Sequence, residues 1–151
     1  MEGQIYGGIP AFMGGLHLKN LNLTIPIMKQ PMEQALQVAR EHLKEIRTVT
    51  EWAERMGYER PKKFSRTFRS YYGERPLKIL NTMKCIKAIE LLTATDKTVY
   101  EIGWCELGIG DEKPFHQYLT YHTEYSPSEI RDMKNGKVNK LVEKLGSKIR
   151  E

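Results

Sequence analysis

The apolar residues of this chain recur at helical spacing over most of its length after residue 31. In the first such segment they are three or four positions apart, and charged side chains occupy the other face. This spacing predicts a core-facing helix that carries Met32, Ala35, Leu36, Ala39, Leu43 and Ile46. A second apolar stripe begins at Pro76 and continues to about Leu92 through Leu77, Leu80, Met83, Ala88 and Leu91. The pattern predicts an all-α protein.

A segment of about fifty residues occurs twice. Thr48-Val49-Thr50-Glu51 returns as Thr98-Val99-Tyr100-Glu101, fifty positions later. Four further matches are fifty-one positions apart: Gly57 and Gly108, Phe64 and Phe115, Phe68 and Leu119, and Pro76 and Pro127. One extra residue therefore lies between Gly103 and Gly108, and we expect it to disturb the helix near Trp104-Cys105-Glu106. Such a repeat indicates one supersecondary unit used twice.

Each copy has the capping and turn residues of a helix-turn-helix. Thr48 with Glu51, and Thr98 with Glu101, have the spacing of a capping box, which predicts a helix start. The glycines at 57 and 108 suit left-handed residues that end this helix, and Pro61 or Pro114 suits the start of the next one. We therefore predict two helix-turn-helix subdomains, 48–73 and 98–123, joined by a long linker helix, 76–93, within one domain, 31–132.

The segments on either side of this domain differ from it. Residues 1–30 are rich in glycine with few charges, and we interpret them as an irregular arm. Residues 133–151 form a basic tail whose Val138, Leu141, Val142, Leu145 and Ile149 predict an amphipathic helix. That helix could pack on the domain or contact DNA, a membrane surface or a partner.

Basic charge is concentrated in the first helix-turn-helix and the linker. Residues 47–92 carry 11 basic and 5 acidic side chains, whereas residues 93–131 carry 3 basic and 7 acidic ones. On the second helix of the first copy, burial of Phe64 and Phe68 would leave Lys62, Ser65, Arg66 and Arg69 on the opposite face. A generic helical hairpin could look similar, but cations and a hydroxyl on such a helix suit phosphates and guanine edges. We therefore expect this face to contact DNA.

The same residues resemble the DNA-binding domain of the AraC/XylS family of bacterial regulators over about residues 33–132. The resemblance rests on Gly57-Tyr58, Phe64-Ser65-Arg66-Thr67-Phe68-Arg69, Tyr72-Gly73-Glu74-Arg75-Pro76, the linker Met83-Lys84 through Leu92, Gly108-Ile109-Gly110-Asp111 and Ser126-Pro127-Ser128-Glu129-Ile130-Arg131. It implies a monomer on double-stranded promoter DNA, with recognition helices in successive major grooves and activation through RNA polymerase. Only about 30 residues precede the domain, so we expect a short stand-alone member.

The resemblance also assigns the reading positions. They are Lys62, Lys63, Ser65, Arg66 and Arg69 in the first unit, and Lys113, His116, Gln117 and Thr120 in the second. The second set is less basic, so we expect the first unit to supply most of the affinity. A further departure is Glu124, which stands where the family usually has glycine; a left-handed conformation there would be strained.

Other classes of protein are disfavoured by the sequence. Cys85 and Cys105 form no CxxC pair and have no histidine at ligand spacing, so we expect reduced thiols and no metal or cofactor. No paired-histidine motif, nucleophile or signal peptide is recognisable, and no apolar run could span a membrane. We therefore expect a cytoplasmic protein that is not an enzyme. The alternative is a protein-interaction module that keeps this fold and modulates a related regulator or polymerase without specific DNA binding.

Overall fold

The computed structural model describes residues 28–149, and these residues contain helices and no strand. A short 3₁₀ turn, Met32–Gln34, leads into the first α-helix. The α-helices are α1 (Ala35–Glu41), α2 (Val49–Arg55), α3 (Pro61–Tyr72), α4 (Pro76–Ala94), α5 (Glu112–Thr123), α6 (Pro127–Arg131) and α7 (Asn135–Gly146). A π-helix, Glu101–Glu106, lies between α4 and α5. Of the predicted arm, residues 1–27 lie outside the described residues.

Two hydrophobic cores share the long helix α4. Its first half places Ile79, Leu80 and Met83 in a core with α1, α2 and α3. Its second half places Ala88, Ile89 and Leu92 in a core with the π-helix, α5, α6 and α7. Because α4 is buried by different partners along its length, the two helix-turn-helix units are held by one continuous rod. Its 19 residues, at 1.5 Å each, give it a length of about 28 Å.

The first unit is built around an aromatic cluster. Trp52 is fully buried, and its ring lies 5.5 Å from that of Phe64 and 5.0 Å from that of Phe68, centroid to centroid. The indole Nε1 of Trp52 donates a hydrogen bond of 3.1 Å to the carbonyl of Ala35, so burial leaves no unpaired donor. This cluster fixes α2 and α3 against each other and against α1.

The helix starts and turns follow the sequence prediction closely. Thr48 and Glu51 form the expected capping box, and Thr98 and Glu101 exchange the same pair of hydrogen bonds. Gly57, Gly73 and Gly108 have positive φ angles of 84°, 80° and 63°. A Cβ atom at Gly108 would lie 2.4 Å from the carbonyl oxygen of Lys44, so glycine is also needed there for close approach to the first unit.

The extra residue of the second copy is absorbed by the π-helix. The amide of Leu107 donates to the carbonyl of Ile102, five residues earlier, at 3.0 Å. This wider turn keeps the Thr98 cap at one end and the Gly108 turn at the other end in the same roles as in the first copy. The expected disturbance near Trp104-Cys105-Glu106 is confirmed, and it takes the form of a π-helix.

Two local expectations were wrong. The apolar stripe predicted one helix as far as Ile46, but α1 ends at Glu41, and Ile46 is buried from the following loop. Pro114 is the third residue of α5 and not its first, so the repeat pairs it with Lys63 and not with Pro61. Proline is tolerated at both places because the first-turn amides of a helix have no intrahelical acceptor.

The basic tail contributes to the second core. Helix α7 lies within residues 133–151 and buries Leu141 and Leu145 in the cluster that contains Ala88 and Ile89 of α4. The lysines of α7 occupy its exposed side. None of the helices between residues 28 and 149 is long and apolar enough to cross a membrane.

Candidate nucleic-acid interface

Helix α3 presents the most basic surface of the first unit. Phe64, Phe68 and Tyr72 are buried along one side. The other side exposes Lys62, Lys63, Arg66 and Arg69, while Ser65 is half-buried at its edge. The helix contains no acidic residue, and no salt bridge within residues 28–149 pairs any of these four cations with a carboxylate. The face therefore retains its full positive charge.

This face continues into a groove at the start of the linker helix. The groove, of about 660 Å³, is lined by Arg66 and Arg69 of α3, Arg75 before α4, Val49 of α2 and the exposed Leu77. Arg75 immediately precedes the N-terminus of α4, where free amides add positive potential. Sequence reasoning missed Arg75, although its place just before Pro76 marked it as the flanking residue of a helix start.

The equivalent helix of the second unit carries a different surface. Lys113, His116, Gln117 and Thr120 are all exposed along α5, as the sequence predicts for a reading face. Tyr121, a large aromatic residue on the same helix that is not one of the assigned reading positions, is 83% exposed. The second helix thus offers mainly neutral donors and acceptors in place of the arginines of α3.

Carboxylates flank the second face. Glu112 is the first residue of α5, and Glu124 is its exposed C-cap. Other acidic side chains of this unit have structural partners: hydrogen bonds from the Thr98 backbone and side chain lower the pKa of Glu101, and Glu106 lies 3.6 Å from Lys97. Negative charge at both ends of α5 disfavours close approach of a polyanion, which weakens this face relative to that of α3.

Both faces are held by the shared linker helix. The Tyr118 hydroxyl of α5 donates a hydrogen bond of 2.8 Å to the Asn81 side-chain oxygen of α4. At the other end, Arg131 donates to the carbonyls of Leu92 and Lys97, which fastens α6 to the end of α4. The second helix of each unit, α3 in the first and α5 in the second, is therefore positioned by contacts with α4. No group of three or more histidine, cysteine or acidic side chains in the described part of the chain could hold a metal ion.

Part of the chain is similar to known helix-turn-helix proteins. A family model described as a helix-turn-helix domain matches residues 61–133, from α3 through α6. A comparison with curated proteins finds no match. Solved structures do match, and the matches cover about two thirds of this chain.

One similar structure is the DNA-binding domain of AdpA, a global transcriptional factor, in complex with a target DNA. It is 29% identical, with a TM-score of 0.59, and the match covers 68% of this chain and 91% of that one. A transcriptional regulator with an AraC-type DNA-binding domain from Chromobacterium violaceum is 23% identical (TM-score 0.57), with 66% and 88% of the two chains covered. The C-terminal domain of AraT, a response regulator from Geobacillus stearothermophilus, is also 23% identical (TM-score 0.61), with 68% and 84% covered. These matches confirm the predicted all-helical tandem fold.

Proposed function

We propose that this chain carries an AraC-type helix-turn-helix domain, as its similarity to such domains suggests, and that it is a transcription regulator that binds double-stranded promoter DNA. The domain type also confirms the expectation that the chain is not an enzyme. The observation that carries the proposal is the unpaired basic face of α3, which continues into the arginine-lined groove. Long-range attraction to phosphates and hydrogen bonding to base edges both need such a surface.

The two units contribute unequally in this proposal. Arg66 and Arg69 of α3 supply charge and guanine-type donors, whereas Gln117 and Thr120 of α5 supply neutral contacts. With α4 as a spacer of about 28 Å, plus the width of each unit, the two helices would reach successive major grooves about 34 Å apart. If the separation falls short, bending of the DNA would bring both grooves within reach.

The proposal also covers the oligomeric state on DNA and the contact with RNA polymerase. We propose that the protein acts as a monomer on DNA and changes transcription by contact with RNA polymerase. The flanking carboxylates of α5 and its exposed Tyr121 favour the alternative, an interaction module whose second unit contacts a protein. The experiment below separates the two.

The test is selection of bound sequences from a random duplex pool, followed by affinity measurements at several salt concentrations. We expect a motif with two half-sites one helical turn apart. Arg66→Ala should lower specific affinity by about 1–3 kcal/mol, and Gln117→Ala by less. Arg55→Ala is the matched control, because Arg55 is exposed in the same unit but lines a groove with Glu51 and Glu54.

The same selection experiment can also contradict the proposal. Weak, salt-sensitive binding without motif enrichment, unaffected by Arg66→Ala, would contradict the regulator proposal and support the interaction module. A larger loss for Gln117→Ala than for Arg66→Ala would show that the two units are ranked wrongly.

A further inference from the structure

A cavity beside the linker helix is lined by residues of both helix-turn-helix units. It has a volume of about 290 Å³, just below the range for small-molecule pockets, about 300–1,000 Å³. Its walls come from both units: Arg47 precedes α2, Asn81 and Lys84 belong to α4, Trp104 belongs to the π-helix and Tyr118 to α5. Anything bound here touches both units at once.

Lys84 is the unusual group of this cavity. Its side chain is only 4% exposed, although lysine is almost never fully buried without a partner. One of its three donors is used, in a hydrogen bond of 3.1 Å from Nζ to the carbonyl of Leu107. Burial, with a smaller contribution from the charge of Arg47, lowers the pKa of Lys84 to about 8. At neutral pH the ammonium is therefore still mostly charged.

The charge at this place is not balanced. No salt bridge within residues 28–149 joins a carboxylate to Lys84 or to Arg47. Glu51 is near enough to raise the pKa of Lys84, but its carboxylate accepts hydrogen bonds from the amides of Arg47 and Thr48 in the capping box. A buried cation beside a second cation is expensive unless an anion compensates it.

Part of the lining is aromatic. Trp104 is 51% exposed, so much of its indole remains free for contact, and Tyr118 lies on the same cavity. An aromatic ring bound between these side chains would gain apolar burial and offset stacking. The lining of the cavity thus combines two cationic side chains with two aromatic ones.

We propose that this cavity binds a small anion through Lys84 and Arg47, and that its preferred ligand is an aromatic carboxylate whose ring lies against Trp104. Because the walls belong to both units, such a ligand would stabilise one relative placement of α3 and α5. Its effect on DNA binding rests on the proposed function, whereas the binding of the anion does not. The same oxyanion chemistry could come from a phosphate of the DNA backbone, and the experiment distinguishes the two sources.

Binding is measured on the full chain with benzoate and inorganic phosphate as probes. The chain has two tryptophans, and Trp52 is fully buried in the first core, so a change in fluorescence on titration reports on Trp104. We expect saturable quenching by benzoate, and weaker binding of inorganic phosphate, which lacks a ring. Lys84→Met and Arg47→Gln should each weaken benzoate binding at least tenfold. Lys87→Met is the matched control, since Lys87 lies one turn along α4, is exposed and pairs with Glu90 at 2.9 Å.

Folding of each variant is verified by its unfolding transition, and Arg47→Gln is informative even if Lys84→Met is unstable because Arg47 is exposed. Absence of saturable quenching, or equal benzoate affinity in Arg47→Gln and wild type, would overturn the proposal. Trp104→Phe removes the fluorescent reporter but keeps an aromatic ring, so calorimetry with this variant should still detect benzoate binding.

DNA measurements identify the natural source of the anion. If it is a small ligand, benzoate binds the DNA complex as well, and Arg47→Gln leaves the salt dependence of DNA affinity unchanged. If it is a backbone phosphate, benzoate competes with DNA and Arg47→Gln lowers the salt slope by about one. Either result supports the anion site. Benzoate binding without any DNA binding would contradict the proposed function alone.

Discussion

Glu124 ends α5 in a conformation that favours glycine, and replacing it with glycine should stabilise the protein. Its φ is 71° and ψ is 10°, and its amide donates a hydrogen bond of 2.8 Å to the carbonyl of Thr120. It is the single non-glycine residue with positive φ among residues 28–149. The repeat supplies an internal reference, because Gly73 ends α3 with φ of 80° and donates at 2.8 Å to Arg69.

The size of the effect follows from two opposing contributions. The left-handed conformation costs an L-residue about 1–2 kcal/mol. Glycine loses more chain entropy on folding, which removes about 0.5–1 kcal/mol of that gain. We therefore expect Glu124→Gly to raise the free energy of unfolding by about 0.5–1 kcal/mol more than Glu124→Gln, which removes the same charge but keeps the strained backbone. For a chain of this length 1 kcal/mol raises Tm by about 2–4 °C.

Urea and thermal unfolding of three variants test this reasoning. Glu124→Gln keeps the strain and removes the charge at the helix C-terminus, so its gain should be no more than about 0.3–1 kcal/mol. Gly73→Ala should lose stability because it introduces the strain that Glu124 already carries. A decrease in stability for Glu124→Gly, or none for Gly73→Ala, would refute the argument. Both Glu124 variants should also bind DNA more tightly, since a carboxylate leaves the second face.

Two further predictions concern tertiary contacts. Lys84 has a folded-state pKa of about 8, below its unfolded value of 10.5. Below pH 8 the buried ammonium is charged and lowers the free energy of unfolding by its full amount. As the pH rises from 8 towards 10.5 the folded state loses this proton before the unfolded state does, so the free energy of unfolding increases. The free energy of unfolding of the wild type relative to Lys84→Met should therefore rise by about 3 kcal/mol over this range, and a constant difference would show that the ammonium is not desolvated. Gly108→Ala should destabilise by at least about 2 kcal/mol, from a left-handed backbone and a clash with Lys44. Its control is Gly136→Ala, which places a Cβ in open space in α7 and should be neutral or slightly stabilising. Equal effects of the two glycine variants would contradict the close packing of Gly108 against Lys44.

Much of the site could be predicted from sequence because the relevant signals are local. The exposed set on α3 follows from the burial of Phe64 and Phe68 at helical spacing, and the structure exposes the same cations. Arg75 was missed because no periodicity marks a residue between two helices. The role of Arg75 depends on the groove that α3 and α4 form when they pack together.

The sequence by itself determined the helix starts, the turns and the division into two units. Each of these depends on hydrogen bonds and backbone angles within about four residues, such as the Thr48–Glu51 cap and the left-handed Gly57. Residues that are close in sequence therefore specify them. The sequence also located the extra residue of the second copy. The structure decided that a π-helix absorbs it, between the Thr98 cap and the left-handed Gly108.

Tertiary structure alone decided which lysine of the linker is buried. Lys84 and Lys87 are three positions apart on one helix, and nothing in the pattern separates them. The partner of Lys84 is a carbonyl 23 residues away, whereas that of Lys87 is a carboxylate one turn along the same helix. Burial of a charge depends on which surfaces meet when the two units fold onto α4, and this information is spread over distant parts of the chain.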